Sequence, residues 1–115
     1  MDEQELKKII ENGETVTVEF KSWIKASSMK ERINLAVEEL IAFANSKGGT
    51  VYLGVEDNGE VTGCIGSYDL QNIVDSIYDR TRPPMFTEIE ELPYEGNKII
   101  AISVKADGKT YATTD

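Results

Sequence analysis

The segment from residue 30 to residue 46 constrains the fold of this chain more than any other. Its apolar side chains recur at helical spacing, and the pair Gly48-Gly49 that follows is a typical helix stop. Gly48 suits a left-handed C-cap, and Gly49 allows the helix to pack closely on the strand that the next residues predict. The helical positions are Ile33, Val37, Leu40, Ile41 and Ala44, and the alternating strand positions are Val51, Leu53 and Val55.

The rest of the chain predicts short elements joined by tight turns. They are a helix over 2–12, a strand over 15–21, an exposed loop over 22–29, a strand over 61–62 after the turn at 57–59, a helix over 67–81 capped by Ser67, and strands over 86–92 and 98–104. No helix or strand is expected over 111–115. The main order, β-α-β-β-α-β-β, predicts an α+β fold in which a mixed β-sheet packs against two main helices. We expect residues 1–115 to form a single domain.

The composition excludes several kinds of catalytic site. The chain has no histidine and one cysteine, which excludes a Ser-His-Asp or Cys-His site and leaves zinc without its usual ligands. A bound metal would need oxygen ligands, which favours magnesium, manganese or calcium. Cys64 cannot form an internal disulfide, the N-terminus does not resemble a signal peptide, and no apolar run approaches the roughly 20 residues of a membrane span. We therefore expect a cytoplasmic protein with no membrane partner.

The charge is unevenly distributed along the chain. A net charge of −9 at pH 7 is the wrong sign for a free-standing DNA-binding protein, whose affinity comes largely from Lys and Arg against phosphates. Residues 20–36 are an exception, because they carry a basic island that only Glu31 opposes. Such an island can bind nucleic acid locally on an acidic body. It consists of Lys21, Lys25, Lys30 and Arg32.

Aromatic and further cationic residues add to this interpretation. Trp23 lies within the basic island and is a candidate to stack on a base while the cations contact phosphates. The alternative is a solvated basic loop, with Trp23 buried against a helix or in a dimer contact. Arg80 and Arg82 form a second cationic spot, although cations are favoured at helix C-termini in any case.

Three stretches of the chain carry a family resemblance. They read Glu-Thr-Val-Thr-Val-Glu-Phe-Lys at 14–21, Ala-Phe-Ala-Asn-Ser-Lys-Gly-Gly at 42–49 and Val-Tyr-Leu-Gly-Val-Glu-Asp-Asn-Gly-Glu-Val-Thr-Gly at 51–63. In order and spacing they resemble the Alba-like domain of Schlafen-type proteins, also called a divergent AAA-associated domain. The resemblance implies a DNA-binding or other nucleic-acid-binding domain at the N-terminal end of a longer, transcription-regulator-like protein. It implies no ATPase in this segment, because Lys47 precedes the glycines instead of following them as in a phosphate loop.

The same resemblance implies a trio of carboxylates as a catalytic and metal site. In Schlafen proteins that cleave RNA, the matching positions form the active site, and here they are Glu14, Glu19 and Asp57. Three carboxylates can hold Mg²⁺ or Mn²⁺ and so activate water. Glu14 and Glu19 begin on opposite faces of a strand, so they converge only if Glu14 sits on the turn before the strand and bends round. We expect Glu19 and Asp57 to come near each other.

A structural interpretation of these carboxylates stands beside the catalytic one. In it, Glu14 caps a turn, Glu19 pairs with Lys21 or Lys25, and Asp57 is an ordinary turn residue. Three functions therefore stay open. The motifs favour a nucleic-acid-binding domain, the carboxylate trio favours a metal-dependent endoribonuclease, and the acidic surface favours a protein-binding or dimerisation module, with a homodimer as one assembly.

Overall fold

A computed structural model of the chain describes residues 1–114 and confirms the predicted α+β class. Three helices and six strands follow one another within these residues. They are α1 (Glu3–Asn12), β1 (Val18–Lys21), α2 (Met29–Ala44), β2 (Gly49–Leu53), α3 (Leu70–Asp79), β3 (Thr81–Arg82), β4 (Glu88–Tyr94), β5 (Asn97–Val104) and β6 (Ala112–Thr113). None of the three helices is long and apolar enough to cross a membrane.

Four of the strands form one mixed sheet in the order β1-β2-β5-β4. β1 and β2 are parallel and are connected through α2, as expected for parallel strands, which need a long crossover. β5 runs antiparallel to both of its neighbours, β2 and β4. β3 and β6 pair with each other as a short antiparallel ribbon outside this sheet.

Two strand predictions differ from the structure. Residues 61–62 form no strand, since Val61 makes only a single bridge with Val55. The next two backbone N–H groups, at 62 and 63, both donate to the Gly54 carbonyl, which ends the ladder there. At the chain end, where no strand was expected, Ala112–Thr113 pairs with Thr81–Arg82.

The predicted cap of the second main helix was also wrong. The cap is Asp69, not Ser67: its carboxylate accepts hydrogen bonds from the backbone N–H of Gln71 at 2.8 Å and of Asn72 at 3.4 Å. α3 therefore begins at Leu70. Aspartate and serine are about equally good N-caps, so the residue types alone do not distinguish the two positions.

The sheet is covered on both faces. Val51 and Leu53 of β2 belong to the core beneath α2 and α3, whereas Tyr52 between them belongs to the opposite core with Leu6 and Ile10 of α1. This alternation is the two-residue period of a strand buried on both sides. The two main helices thus cover one face, and α1 closes the other.

Candidate functional site

Glu14 is brought alongside β1 by a tight reversal of the chain. The backbone N–H of Thr15 donates to the Val18 carbonyl at 3.0 Å, which turns the chain just before β1. Glu14 then accepts a hydrogen bond from the backbone N–H of Phe20 through Oε2 at 3.0 Å. Because β1 is an edge strand, this carboxylate satisfies a donor that no neighbouring strand would reach. The turn that the sequence required for convergence is therefore present.

The reversal places the carboxyl groups of Glu14 and Glu19 within hydrogen-bonding reach of each other. Burial, the hydrogen bond with Glu14 and the charges of Glu39 and Glu14 together raise the pKa of Glu19 to about 7, against a weaker opposing effect of Lys21. The raised pKa keeps Glu19 largely protonated below neutral pH, so its carboxyl group can donate a hydrogen bond to Glu14. Glu19 therefore lies next to Glu14, whereas the sequence predicted that it would lie near Asp57.

Glu19→Gln is expected to stabilise the protein at alkaline pH. The folded-state pKa of Glu19, about 7, lies above the ordinary value of 4.5, so its contribution to folding is fully present below about pH 4.5 and is lost as the pH rises through 7. Glutamine mimics the protonated acid at every pH. At pH 8 we expect a gain of about 1 kcal/mol in the free energy of unfolding, reduced by solvent screening and by the lost contact with Lys21.

Urea denaturation of wild type and variant between pH 4.5 and pH 8 measures this gain. The difference between the two proteins should shrink towards zero as the pH falls. Glu88→Gln, which removes an exposed carboxylate elsewhere on the sheet, is the control and should show no such trend. Equal behaviour of the two variants across the range would mean that the pKa of Glu19 is not raised.

Asp57 lies apart from this carboxyl pair. It sits on the exposed turn beyond β2 and lines a cavity of about 330 Å³ together with Lys25 and Glu56. Within residues 1–114, no three acidic or cysteine side chains are grouped so that they would hold a metal ion. Magnesium needs several oxygens at about 2.0–2.1 Å in near-octahedral geometry. As placed here, Glu14, Glu19 and Asp57 do not fit such a site, and we derive no metal-dependent step from them.

The buried carboxylate beside Asp57 is Glu56, which the sequence analysis did not single out. Its residue is only 5% exposed, and Oε2 accepts a hydrogen bond from the Thr62 hydroxyl at 2.6 Å. Burial would raise the pKa of Glu56, but the hydrogen bonds from Thr62, Ser22 and Lys25 and the Lys25 charge lower it overall. Glu56 is therefore an ionised anchor for Lys25, whose Nζ lies 3.0 Å from Oε1.

Lys21, like Lys25, is paired within the protein. Its Nζ lies 3.7 Å from a Glu19 oxygen and 3.4 Å from a Glu39 oxygen. The pairing of Glu19 with Lys21 agrees with the structural interpretation of these residues, whereas the sequence analysis did not predict the pairing of Lys25 with Glu56. Two of the four cations of the basic island thus have carboxylate partners, which reduces the positive potential that they present to a ligand.

Trp23 and Arg32 hold each other in place. Trp23 is 1% exposed and its indole N–H donates to the Ile65 carbonyl at 2.9 Å, so the ring is not available to stack on a base. The Arg32 guanidinium lies 4.2 Å from the ring centroid, where a cation is attracted to the aromatic face. It also donates to the carbonyls of Trp23, at 2.9 Å, and of Ala26, at 3.2 Å. The buried alternative for Trp23 is the one observed.

Lys30 lines a different open cavity from the one beside Lys25. The cavity has a volume of about 400 Å³, and Asn34 and Glu38 of α2 and Arg80 at the end of α3 also line it. Arg80 Nη1 donates to Asn34 Oδ1 at 2.7 Å and to the Lys30 carbonyl at 3.3 Å. These bonds fix the guanidinium beside Lys30. We call this cavity the cation groove; it carries two cations against the single acid Glu38.

Comparisons with known proteins place this geometry in context. The family profile described as Schlafen, AlbA_2 matches residues 14–114 of the chain. No curated protein sequence matches the chain.

Solved structures share the fold. A crystal structure of the DIP2311 protein from Corynebacterium diphtheriae superimposes with a TM-score of 0.71 at 19% identity, over 96% of this chain and 23% of that one. A solution structure of the N-terminal domain of an ATP-dependent DNA helicase RecG-related protein from Nitrosomonas europaea gives a TM-score of 0.63 at 19% identity, over 97% of this chain and 77% of that one. The chain therefore spans less than a quarter of the length of the first of these proteins.

Proposed function

Since the chain belongs to the Schlafen AlbA_2 family, with residues 14–114 matched, we propose that it is a nucleic-acid-binding domain. The observation that carries the proposal is the cation groove. Lys30 and Arg80 line an open cavity there, on a protein whose net charge is −9. Phosphate oxygens are the usual partners of lysine and arginine on nucleic-acid-binding surfaces.

The groove suits a phosphate better than the rest of the basic island does. The Lys21 and Lys25 side chains have carboxylate partners, and Arg32 is committed to Trp23 and its loop. Arg80 is held rigidly by bonds that use the two hydrogens of Nη1, and a guanidinium carries three further N–H donors. A pre-positioned guanidinium loses less entropy when it binds a phosphate than a mobile one does.

The wider role is part of the same proposal. The Nitrosomonas europaea domain belongs to a protein described as DNA-helicase-related, which is compatible with a nucleic-acid partner for this chain. We propose a DNA-binding part of a longer, transcription-regulator-like protein in the cytoplasm, a location with which the free thiol of Cys64 agrees.

Lys30→Glu is expected to weaken nucleic-acid binding about tenfold in low salt. The substitution replaces a phosphate contact by a repulsive charge, and tenfold corresponds to about 1.4 kcal/mol. It should also lower the slope of log K against log salt by about 1. Fluorescence anisotropy with a labelled oligonucleotide at ~50 mM salt and above measures both quantities.

The matched control is Lys8→Glu, the same charge change on the exposed surface of α1, which covers the opposite face of the sheet. It should leave the affinity within about twofold of wild type, since charges that far apart are largely screened. Absence of binding by wild type at ~50 mM salt would contradict the proposed function itself. Equal weakening by both substitutions would remove the groove from it and leave only a general charge effect.

We keep the endoribonuclease as a second candidate on one observation, that Glu14 and Glu19, two of its three carboxylates, come together; as placed here, the trio with Asp57 does not form a metal site. Incubation of a labelled RNA with the protein and MnCl₂, followed by a denaturing gel, tests this candidate. Cleavage that Glu19→Gln and Asp57→Ala both abolish would support the enzyme. Intact RNA, or cleavage that survives both substitutions, would leave the binding domain.

A further inference from the structure

Two exposed aromatic side chains contact each other: Tyr78 near the end of α3 and Phe86 between β3 and β4. Tyr78 is 41% exposed and Phe86 is 78% exposed, yet their rings meet edge to face at a centroid distance of 5.4 Å. Single exposed apolar side chains are ordinary on protein surfaces, but a contacting pair of exposed rings is a candidate recognition surface. We call these residues the aromatic pair.

The aromatic pair lies next to the cation groove. β6 connects the two surfaces; it pairs with β3, with Thr81 opposite Thr113 and Arg82 opposite Ala112. Thr113 of β6 lines the groove, and Tyr111, the residue before β6, lines a cavity of about 280 Å³ with Phe86. Two residues of extended strand span only about 7 Å, so the groove and the aromatic pair are neighbours.

A cationic side chain lies beside the aromatic pair as well. Lys105 lines the same cavity as Phe86, and Arg82 is exposed on β3. Glu88 and Asp107 also line that cavity, but the Asp107 carboxylate accepts hydrogen bonds from the Tyr111 hydroxyl at 2.7 Å and from the Lys109 backbone at 3.0 Å. Its charge is therefore partly satisfied by the protein.

We propose that the aromatic pair stacks on the bases of a single-stranded nucleic acid whose phosphates lie in the cation groove. The inference rests on the proposed function and adds the surface and the form of the ligand. Aromatic faces bind any base, whereas a duplex keeps its base faces stacked inside, so this surface distinguishes single strands from duplexes. Lys105, which lines the cavity with Phe86, and the exposed Arg82 of β3 attract the phosphate backbone.

Phe86→Ala tests the proposal, because Phe86 is mostly exposed and its loss should not unfold the domain. With a labelled oligothymidine, we expect about tenfold weaker binding for Phe86→Ala and near-wild-type binding for Phe86→Trp, which restores a stacking surface. Binding to a duplex of the same length should change less than twofold. An oligouridine of equal length tells whether the single strand is DNA or RNA. Ile65→Ala, which removes another exposed apolar side chain (65% exposed), is the matched control.

A second readout reports stacking directly. A 2-aminopurine base in the oligonucleotide should change its fluorescence when wild type binds and much less when Phe86→Ala is added at saturation. Circular dichroism melting checks that the variants are folded.

The outcomes separate this inference from the proposed function. Failure of wild type to bind any nucleic acid would overturn both. Wild-type binding that Lys30→Glu weakens and Phe86→Ala leaves unchanged would overturn only the stacking surface. Equal loss of single-strand and duplex binding in Phe86→Ala, or a wild-type dimer that Phe86→Ala dissociates, would also overturn it and assign the rings to another role.

Discussion

Replacement of Trp23 by alanine is expected to lower the free energy of unfolding by about 3–5 kcal/mol. The indole is 1% exposed, and its N–H donates to the Ile65 carbonyl at 2.9 Å. Its face carries the Arg32 guanidinium, and its edge meets the Tyr68 ring at a centroid distance of 5.3 Å. Alanine would leave a large cavity, free the Ile65 carbonyl and remove the ring that Arg32 covers.

Urea denaturation followed by circular dichroism measures this loss. Ile24→Ala is the matched control, because Ile24 is the next residue and is 47% exposed, so its loss should change the stability by no more than about 0.5 kcal/mol. A Trp23→Ala variant as stable as Ile24→Ala would contradict the buried position of the indole. The prediction of a base-stacking role for Trp23 would then regain its basis.

The part of the fold that the sequence predicts well is the part that local patterns determine. Residues 30–46 carry a complete apolar stripe and a glycine stop, and α2 was therefore predicted to within a few residues of Met29–Ala44. β2 and β5 have the alternation or the continuous apolar run of buried strands. The ribbon of β3 and β6 was not predicted because it joins residues about thirty positions apart. Each of the two strands is also too short to show an alternating pattern of apolar residues.

The candidate site was harder to predict because its contacts are long-range. The Trp23 indole donates a hydrogen bond to the Ile65 carbonyl, and the Arg80 guanidinium donates one to Asn34 Oδ1. Sequence spacing identified the cations as a group, but it does not show which of them a folded chain neutralises. Charge counting along the chain therefore predicted a nucleic-acid contact over the whole island, whereas the contact that we propose involves Lys30 and Arg80.

The carboxylates show how far spacing arguments reach. Because side chains alternate along a strand, Glu14 and Glu19 can converge only if the chain turns at Glu14. The reversal between Thr15 and Val18 provides this turn. Spacing does not fix how far Asp57 extends beyond the end of β2. That position depends on the turn after Gly54, where the chain leaves the sheet.

The contact of α2 with the sheet depends on Gly48, the residue just before β2. Gly48 has a φ of +81°, and its backbone N–H donates to the Phe43 carbonyl at 2.7 Å, which ends the helix. A Cβ at this position would lie 2.8 Å from the Val104 carbonyl oxygen and 3.2 Å from the Ala106 nitrogen. These neighbours are backbone atoms of β5 and the residues after it, so they cannot move aside as a flexible side chain does.

Gly48→Ala is therefore expected to lower the free energy of unfolding by about 2–5 kcal/mol. Of this, about 1–2 kcal/mol comes from the left-handed backbone and about 1–3 kcal/mol from the overpacked contact. Gly108→Ala is the matched control, because Gly108 has a φ of +83° but no heavy atom within 4 Å of a built Cβ. It should cost only the backbone part, so the difference between the two variants in urea denaturation isolates the close approach.

Since α2 carries Lys30 and Asn34 of the cation groove, a folded Gly48→Ala protein should also bind nucleic acid more weakly than Gly108→Ala does. Equal stability of the two variants would mean that α2 does not approach β5 this closely, and the position of the groove would then need to be revised.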